Sequence, residues 1–240
     1  MIEAVFISDL HLNPNDSAIS TRFNDFISWA AKNTKSLYIL GDFFHVWPGD
    51  DFIDSWSYDI AMQLSSLASK GINLYYMHGN RDFLLNGRFA KLAGFTILPE
   101  PSLINFDNKK VLLVHGDRYC TNDKGHVLLR LITRNKVFPF LFLKIPLKVR
   151  NFFVNLIRQS SAKNRNKTTS YMDIVLKDML SHMDKLNSTI LIHGHIHKPG
   201  LNIHKENSKI YYQYVLSDWD DKPQILCYDN TKGFYFVREF

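Results

Sequence analysis

Cysteine is scarce in this 240-residue chain, which limits how the fold can be held together. The two cysteines, Cys120 and Cys227, are too few for a disulfide framework, so we expect a reducing, cytoplasmic setting. The sequence has no run of about 18 apolar residues, the length that a membrane-spanning helix needs. The chain starts directly with an apolar, strand-like run and without a basic segment, so we expect no signal peptide.

Acidic residues are nearly missing from the middle of the chain. Between Arg118 and Lys167 there are 12 Lys or Arg residues and a single acid, Asp123, although the whole chain carries a net charge of only +6. The rest of the chain is therefore slightly acidic. A basic segment within an acidic body indicates an anionic partner, and nucleic acid, anionic lipid and a phosphorylated small molecule all remain open on this ground.

Polar motifs follow five short apolar runs that are typical of buried strands. Because open α/β folds place their sites at the carboxyl edge of the sheet, we expect these motifs to meet there. Carboxylate, amide and imidazole ligands without cysteine suit a divalent ion such as Mn²⁺. We interpret the pattern as a two-metal phosphoesterase site. The runs and motifs are Ala4–Ile7 with Asp9-Leu10-His11, Leu37–Leu40 with Gly41-Asp42, Leu74–Met77 with Gly79-Asn80, Val111–Val114 with His115-Gly116, and Ile190–Ile192 with Gly194-His195-Ile196-His197.

The alternation of strand and helix patterns over residues 2–115 predicts a layered α/β fold. From residue 121 to about 182 the strand pattern disappears, and helical periodicity with basic charge replaces it. The sequence thus predicts a core of residues 1–120 and 184–240 with a basic helical lid, residues 121–183, inserted into it. The helices predicted by periodicity include Thr21–Lys32, Ile53–Ser69, Leu147–Arg158 and Tyr171–Met183.

The five motifs, in this order, resemble the calcineurin-like metallophosphoesterase family, whose pattern is D-x-H, G-D, G-N-[HR]-[DE], H-G and G-H-x-H. The resemblance implies a sandwich-like α/β core and two divalent ions, Mn²⁺ being preferred. It assigns Asp42 as the carboxylate shared by both ions. The implied ligands are Asp9, His11, Asp42 and His197 for one ion, and Asp42, Asn80, His115 and His195 for the other.

Arg81 narrows the expected reaction. Family members that hydrolyse phosphomonoesters carry His at this position, where it can protonate an alkoxide leaving group. An arginine cannot donate that proton at neutral pH, but its guanidinium group can hold phosphate oxygens in a bidentate grip. Such a site suits a leaving group that is already a stable anion, namely another phosphate. The sequence therefore favours cleavage of a pyrophosphate bond.

Further segments resemble the branch of this family that acts on UDP-2,3-diacylglucosamine in lipid A biosynthesis. These include Gly79-Asn80-Arg81-Asp82-Phe83, Cys120-Thr121, Gly194-His195-Ile196-His197-Lys198-Pro199 and Ser217-Asp218-Trp219. The resemblance implies attack on the α-phosphorus, with UMP and 2,3-diacylglucosamine 1-phosphate as products. It implies catalytic roles for Asp42, Asn80, Arg81 and His195, and substrate contacts from Asn80, Arg81, Asp123, Ser160, Asn164, Lys167 and His195.

Three positions depart from the pattern of that branch. His45 stands where Glu is usual, Asn122 where Asp is usual, and His126 where Tyr is common. None of them is an implied metal ligand, so the departures concern the sugar and acyl side of the site.

The alternatives belong to two classes. One is another phosphodiesterase, nucleotide pyrophosphatase or nuclease of the same family, whose basic insert would follow a nucleic-acid backbone. The other is a scaffold that has lost its metals, although all seven ligand positions are filled here. Because the insert mixes Phe and Leu with basic residues, we expect it to bind the anionic cytoplasmic face of the bacterial inner membrane, and we expect no nucleic acid.

Overall fold

The computed structural model describes residues 1–135, 137–152 and 173–240. These residues form eleven strands and six α-helices, besides two short 3-10 helices, Asp50–Phe52 and Asp117–Tyr119, and a helical segment at residues 147–152. The strands are β1 Ala4–Ile7, β2 Ser36–Ile39, β3 Asn73–Met77, β4 Phe95–Leu98, β5 Ser102–Phe106, β6 Lys109–Leu113, β7 Ile190–His193, β8 Gly200–Glu206, β9 Lys209–Val215, β10 Ile225–Asp229 and β11 Gly233–Val237. The helices are α1 Ser17–Asn33, α2 Ser55–Ser69, α3 Gly87–Ala93, α4 Lys124–Thr133, α5 Val137–Phe142 and α6 Leu176–Lys185.

Two sheets form the body of the molecule. The first has the order β11-β10-β1-β2-β3-β4, in which β1 to β4 run parallel because α1, α2 and α3 connect them. The second has the order β5-β6-β7-β9-β8, with a parallel centre formed by β6, β7 and β9. The layered α/β fold predicted from the sequence is confirmed.

The alternation of side chains along each strand builds four layers, helix on sheet on sheet on helix. In β1, Phe6 points between the two sheets, whereas Val5 and Ile7 pack against the helices of the first sheet. In β6, Leu113 lies between the sheets and Leu112 faces α6. Both faces of the central strands are therefore buried, which explains why these strands read as continuous apolar runs.

Two helices begin at other residues than periodicity predicts, because a hydrogen bond fixes the start of each helix. Helix α1 begins at Ser17 because the Asp16 side chain accepts a hydrogen bond from the backbone N–H of Ile19 and caps the helix. Helix α6 begins at Leu176, later than the predicted Tyr171, because the N–H of Val175 donates to the carbonyl of Tyr119. Helices α1 and α2 otherwise lie where the sequence predicts them.

The segment predicted to be an insert contains two kinds of helix. Helices α4 and α5 carry exposed apolar side chains, for example Leu131 at 65% and Phe140 at 61% exposure. Helix α6 instead packs Met179, Leu180 and Met183 against the second sheet. Among the described residues, no helix combines the length and the apolar character needed to cross a membrane.

Candidate metal centre

The loops at the carboxyl ends of β1, β2, β3, β6 and β7 meet at one edge of the two sheets. Five non-glycine residues in these loops have a left-handed backbone, with φ between 51° and 72°: Asp9, His11, Asp42, His195 and His197. Such conformations are unfavourable for residues with a Cβ and cluster at functional sites. All five belong to the metal-ligand set implied by the sequence.

The structure brings most of the implied ligands into two overlapping groups. Ligand atoms of Asp9, His11 and His197 lie within 4.8 Å of one another, and so do those of Asp9, Asp42 and His115. The carboxylate common to both groups is Asp9, whereas the family resemblance implies Asp42 as the shared ligand. Asp42 also lies between the groups, since Oδ2 is 3.3 Å from His11 Nε2 and Oδ1 is 3.6 Å from His115 Nε2.

Asn80 and His195 border the second group. Asn80 Oδ1 is 3.0 Å from His115 Nε2. The backbone N–H of His195 donates to Asp9 Oδ2 at 2.8 Å, and its ring centroid lies 5.1 Å from that of His115. The fold thus assembles all seven predicted ligands at one site, although His195 and Asn80 stand at its rim. Their roles as ligands stay a prediction.

Two glycines allow the ligand loops to approach one another. A Cβ on Gly79 would lie 2.1 Å from Asp42 Oδ1 and 2.2 Å from the Asp42 backbone nitrogen. A Cβ on Gly194 would lie 2.1 Å from Asp9 Oδ2. The G-N and G-H motifs therefore require glycine for space, independently of any backbone preference.

Asp82 organises the loop that carries Asp42. The carboxylate is fully buried and accepts hydrogen bonds from the backbone N–H groups of Asp42, Phe43, Phe44 and Gly79. Four donors on one carboxylate fix the turn after β2 against the turn after β3. No role is predicted for Asp82 from the sequence, although its place in the G-N-R-D motif is the signal that marks it.

The electrostatics of the site favour a bound cation. Burial by itself would raise the pKa of Asp42, but His115, His11 and Arg81 hold that pKa well below its ordinary value. The pKa of Asp9 falls to about 2 because contacts with His197 and His115 outweigh burial. Both carboxylates are therefore ionised at neutral pH. Burial also lowers the pKa of His195 to about 3, so its imidazole is neutral and able to act as a ligand.

The orientation of the imidazole rings fits metal coordination. His115 donates its Nδ1–H to the carbonyl of Leu40 at 2.8 Å, which leaves Nε2 facing Asp42. His197 has Nδ1 3.4 Å from Asp218 and Nε2 3.4 Å from Asp9. Such an outer partner on the second ring nitrogen is the usual arrangement of metal-bound histidines. In addition, Asp9 Oδ1 is buried and accepts no hydrogen bond from the described residues. The residues present therefore fit divalent cations.

Arg81 lies beside the ligand groups. Its Nε is 3.3 Å from Asp42 Oδ2, and one guanidinium nitrogen is 3.2 Å from His45 Nδ1. His45 thus contacts Arg81 at the position where the related branch usually carries a carboxylate.

Of the other residues predicted to contact the substrate, only Asp123 belongs to the described residues. Asp123 caps α4 by accepting a hydrogen bond from the N–H of His126 at 3.0 Å, and the His126 ring lies 5.4 Å from that of His195. The start of α4 therefore stands at the rim of the metal centre. Ser160, Asn164 and Lys167 lie outside the described residues.

The chain is similar to known proteins over most of its length. The family described as calcineurin-like phosphoesterase matches residues 3–199, and the chain belongs to this family. Together with the ligand groups, this membership defines a divalent-metal-dependent phosphoesterase. The family resemblance stated from the motifs is confirmed.

Curated relatives resemble nearly the whole chain. The UDP-2,3-diacylglucosamine hydrolase of Pseudomonas syringae pv. syringae (strain B728a) is 35% identical over 240 residues, covering 98% of this chain and 97% of the relative. The protein of the same name from Pseudomonas paraeruginosa (strain DSM 24068 / PA7) is 38% identical, covering 91% and 92%. That from Proteus mirabilis (strain HI4320) is 36% identical and covers 90% of each chain.

Proposed function

We propose that this protein hydrolyses the pyrophosphate bond of UDP-2,3-diacylglucosamine to UMP and 2,3-diacylglucosamine 1-phosphate, a step of lipid A biosynthesis. Full-length relatives carry the name of a hydrolase of this substrate. The observation that carries the proposal is Arg81, held next to Asp42 at 3.3 Å within the assembled ligand groups. An arginine at this place favours a phosphate leaving group, which needs no proton from the enzyme.

In this proposal, residues of the chain bind the substrate and stabilise the charge that develops during the reaction. When bound, two divalent ions, which we take to be Mn²⁺, neutralise the phosphate and acidify the attacking water. Arg81 grips phosphate oxygens and opposes the charge that develops during attack on the α-phosphorus. Asn80 directs its amide oxygen to His115, which leaves its NH₂ group to donate to the substrate. The neutral ring of His195 lies beside the same position.

The insert, residues 121–183, supplies the surface for the lipid in this proposal. Leu128, Leu131 and Val137 are at least 60% exposed, and Lys144 lies 4.4 Å from the centroid of the Phe140 ring. Apolar side chains interspersed with lysine suit the interface of an anionic bilayer. The protein would thus work on the cytoplasmic face of the bacterial inner membrane. The proposal also assigns contacts with the sugar and phosphate to Ser160, Asn164 and Lys167.

Isotope labelling tests the reaction. The protein is incubated with Mn²⁺ and UDP-2,3-diacylglucosamine in detergent micelles made with ¹⁸O-water, and the products are analysed by mass spectrometry. We expect UMP that carries the label, because attack at the α-phosphorus transfers the water oxygen to UMP. Label in the lipid phosphate would reject this direction of attack, and the absence of UMP would reject the function.

Two variants accompany the experiment. Asp42→Ala removes a carboxylate that contacts both His11 and His115, and we expect no detectable turnover with an intact fold. Arg238→Met changes an exposed arginine far along the chain and serves as the matched surface control. Equal loss of activity in both variants would point to a general defect and contradict the assignment of Asp42.

Vesicle sedimentation tests the membrane interaction. We expect the protein to sediment with vesicles that contain an anionic lipid and to stay in solution with neutral vesicles. Replacing Leu131 and Phe140 by Ser should weaken binding to the anionic vesicles, because each exposed side chain contributes apolar area. Equal binding by the double variant would show that α4 and α5 do not face the bilayer.

A further inference from the structure

A cluster of four charged residues lies beneath α4, next to the metal centre but outside the predicted ligand set. This charge cluster consists of Glu100, Asp117, Arg130 and Arg134. The two carboxylates are almost fully buried, with side-chain exposures of 5% for Glu100 and 1% for Asp117. Two buried negative charges face two positive charges, so the charges of the cluster balance.

The two arginines belong to one face of one helix. Arg130 lies in the last turn of α4 and Arg134 caps its end, four residues later, so both side chains leave the helix in the same direction. Arg130 Nη2 is 3.0 Å from Glu100 Oε2, and its Nε is 3.2 Å from Asp117 Oδ2. Arg134 Nη2 is 3.5 Å from the same Glu100 oxygen and 3.7 Å from the same Asp117 oxygen.

The cluster also holds the backbone of two ligand loops. Arg134 Nη2 donates to the carbonyl of His78 at 3.0 Å, in the segment that leads to Gly79 and Asn80. Glu100 Oε1 accepts a hydrogen bond from the backbone N–H of His115 at 3.3 Å. Asp117 follows His115 by two residues. One helix end is therefore tied to the loops after β3 and β6.

Asp117 depends on the arginines for its charge balance. Neither of its carboxylate oxygens accepts a hydrogen bond from the described part of the chain. Removing one arginine would leave a buried carboxylate undercompensated, which proteins avoid by local rearrangement.

We propose that the charge cluster is a clamp that positions the ligand loops after β3 and β6 and ties the C-terminal end of α4 to them. Glu100, Asp117, Arg130 and Arg134 are positioning residues in this proposal, because none of them is placed among the ligands. Their position matters for the reaction only if the proposed function holds. The effect on metal binding and on loop motion does not depend on the substrate.

Calorimetry of Mn²⁺ binding is the first measurement. We expect Arg130→Met and Glu100→Gln to weaken Mn²⁺ binding by about 10- to 100-fold, the range found when outer partners of metal ligands are removed. Glu100→Gln keeps an acceptor for the N–H of His115 and removes only the charge. Arg238→Met, the surface control, should bind Mn²⁺ like the unmodified protein.

The double variant Arg130→Met/Glu100→Gln separates a clamp from a merely destabilised fold. It removes one charge of each sign and leaves the Arg134–Asp117 pair, so we expect tighter Mn²⁺ binding than in either single variant. Unchanged Mn²⁺ affinity in both single variants would overturn the proposal. A double variant that binds Mn²⁺ no more tightly than the single variants would also overturn it.

Hydrogen–deuterium exchange supplies a readout that needs neither metal nor substrate. In Arg130→Met and Arg134→Met we expect faster exchange in residues 78–82 and 115–119 and unchanged exchange in β1 and β2. Uniformly faster exchange throughout the chain would show that the cluster only stabilises the fold as a whole. That result would reject the clamp. A protein that passes these tests but releases no UMP would reject the proposed reaction and leave the clamp standing.

Discussion

At the scale of single residues, the site combines several features that are each energetically unfavourable and that other residues compensate. The predicted ligands Asp9, Asp42 and His197 occupy left-handed backbone conformations, and two ionised carboxylates lie close together in the interior. Asp82 offsets part of this cost by collecting four backbone N–H groups on one carboxylate. Only glycine leaves enough space at position 79 for the Asp42 loop. The geometry of the site therefore depends on residues outside the predicted ligand set.

Replacing Gly79 by alanine tests this dependence. The new Cβ would overlap Asp42 Oδ1 at 2.1 Å, so we expect Gly79→Ala to lower Mn²⁺ affinity at least tenfold and to reduce the midpoint of thermal unfolding. Gly87→Ala is the matched control, because a Cβ there meets nothing within 4 Å and its backbone is not left-handed. Calorimetry and thermal denaturation measure both effects. Similar values for the two variants would contradict the steric argument.

His182 gives the folded state a specific pH dependence. Burial, reinforced by Arg118, lowers its pKa to about 4, and Tyr119 donates its O–H to His182 Nδ1 at 2.8 Å. The unfolded chain binds this proton below its ordinary pKa of 6.5, whereas the folded chain binds it only near 4. The contribution of His182 to the free energy of unfolding therefore decreases as the pH falls from 6.5 to 4.

Urea denaturation at pH 7 and pH 5 measures this contribution. We expect the unmodified protein to lose more stability between these pH values than His182→Gln, which keeps an acceptor but cannot titrate. The comparison isolates His182 from the carboxylates, which titrate in both proteins. An equal loss in both proteins would show that His182 protonates freely in the folded state.

At the scale of elements, arginine side chains tie the predicted insert to the body at two places, in addition to the apolar packing of α6 against the second sheet. One is the charge cluster beneath α4. The other is Arg150, whose side chain is only 1% exposed and contacts the carbonyl of Pro48 and the carboxylate of Asp51. Its Nε also donates to the carbonyl of Ile145 at 2.8 Å. The helical segment at residues 147–152 is thereby fixed to the loop between β2 and α2.

Arg150→Met keeps most of the apolar volume of the side chain and removes its hydrogen bonds. Because buried carbonyl groups lose their donors, we expect a loss of about 1–3 kcal/mol in the free energy of unfolding. Chymotrypsin should also cleave residues 137–152 faster than in the unmodified protein. Lys148→Met, at an exposed position of the same segment, is the control. Equal cleavage rates in the two variants would show that Arg150 does not hold the segment.

At the scale of the whole molecule, the metal centre connects both sheets. Asp9, His11 and Asp42 follow strands of the first sheet, whereas His115 and His197 follow strands of the second. A cation held by these residues would contact both halves of the sandwich. It would also neutralise Asp9 and Asp42, which the fold keeps ionised and close together, so metal binding would stabilise the fold.

Metal removal tests this linkage. We expect Mn²⁺ at about 100 times its dissociation constant to stabilise the fold by about 2.7 kcal/mol, as expected for one site that binds only the folded state. EDTA should reverse the effect and abolish hydrolysis. Asp9→Asn should remove most of the Mn²⁺-dependent stabilisation, since Asp9 belongs to both ligand groups. Stabilisation of Asp9→Asn equal to that of the unmodified protein would place the cation elsewhere.

The sequence by itself determined the strand order along the chain, the layered class and the loops that carry the ligands. These features are local, because apolar runs that end in Asp, His or Asn can be read one segment at a time. The tertiary structure decided which carboxylate lies in both ligand groups and which groups face Arg81. Only the tertiary structure shows that Arg130 and Arg134 contact Glu100 and Asp117, because these residues belong to segments that are far apart in the sequence. Periodicity predicts the face of a helix, whereas packing selects the partner of that face.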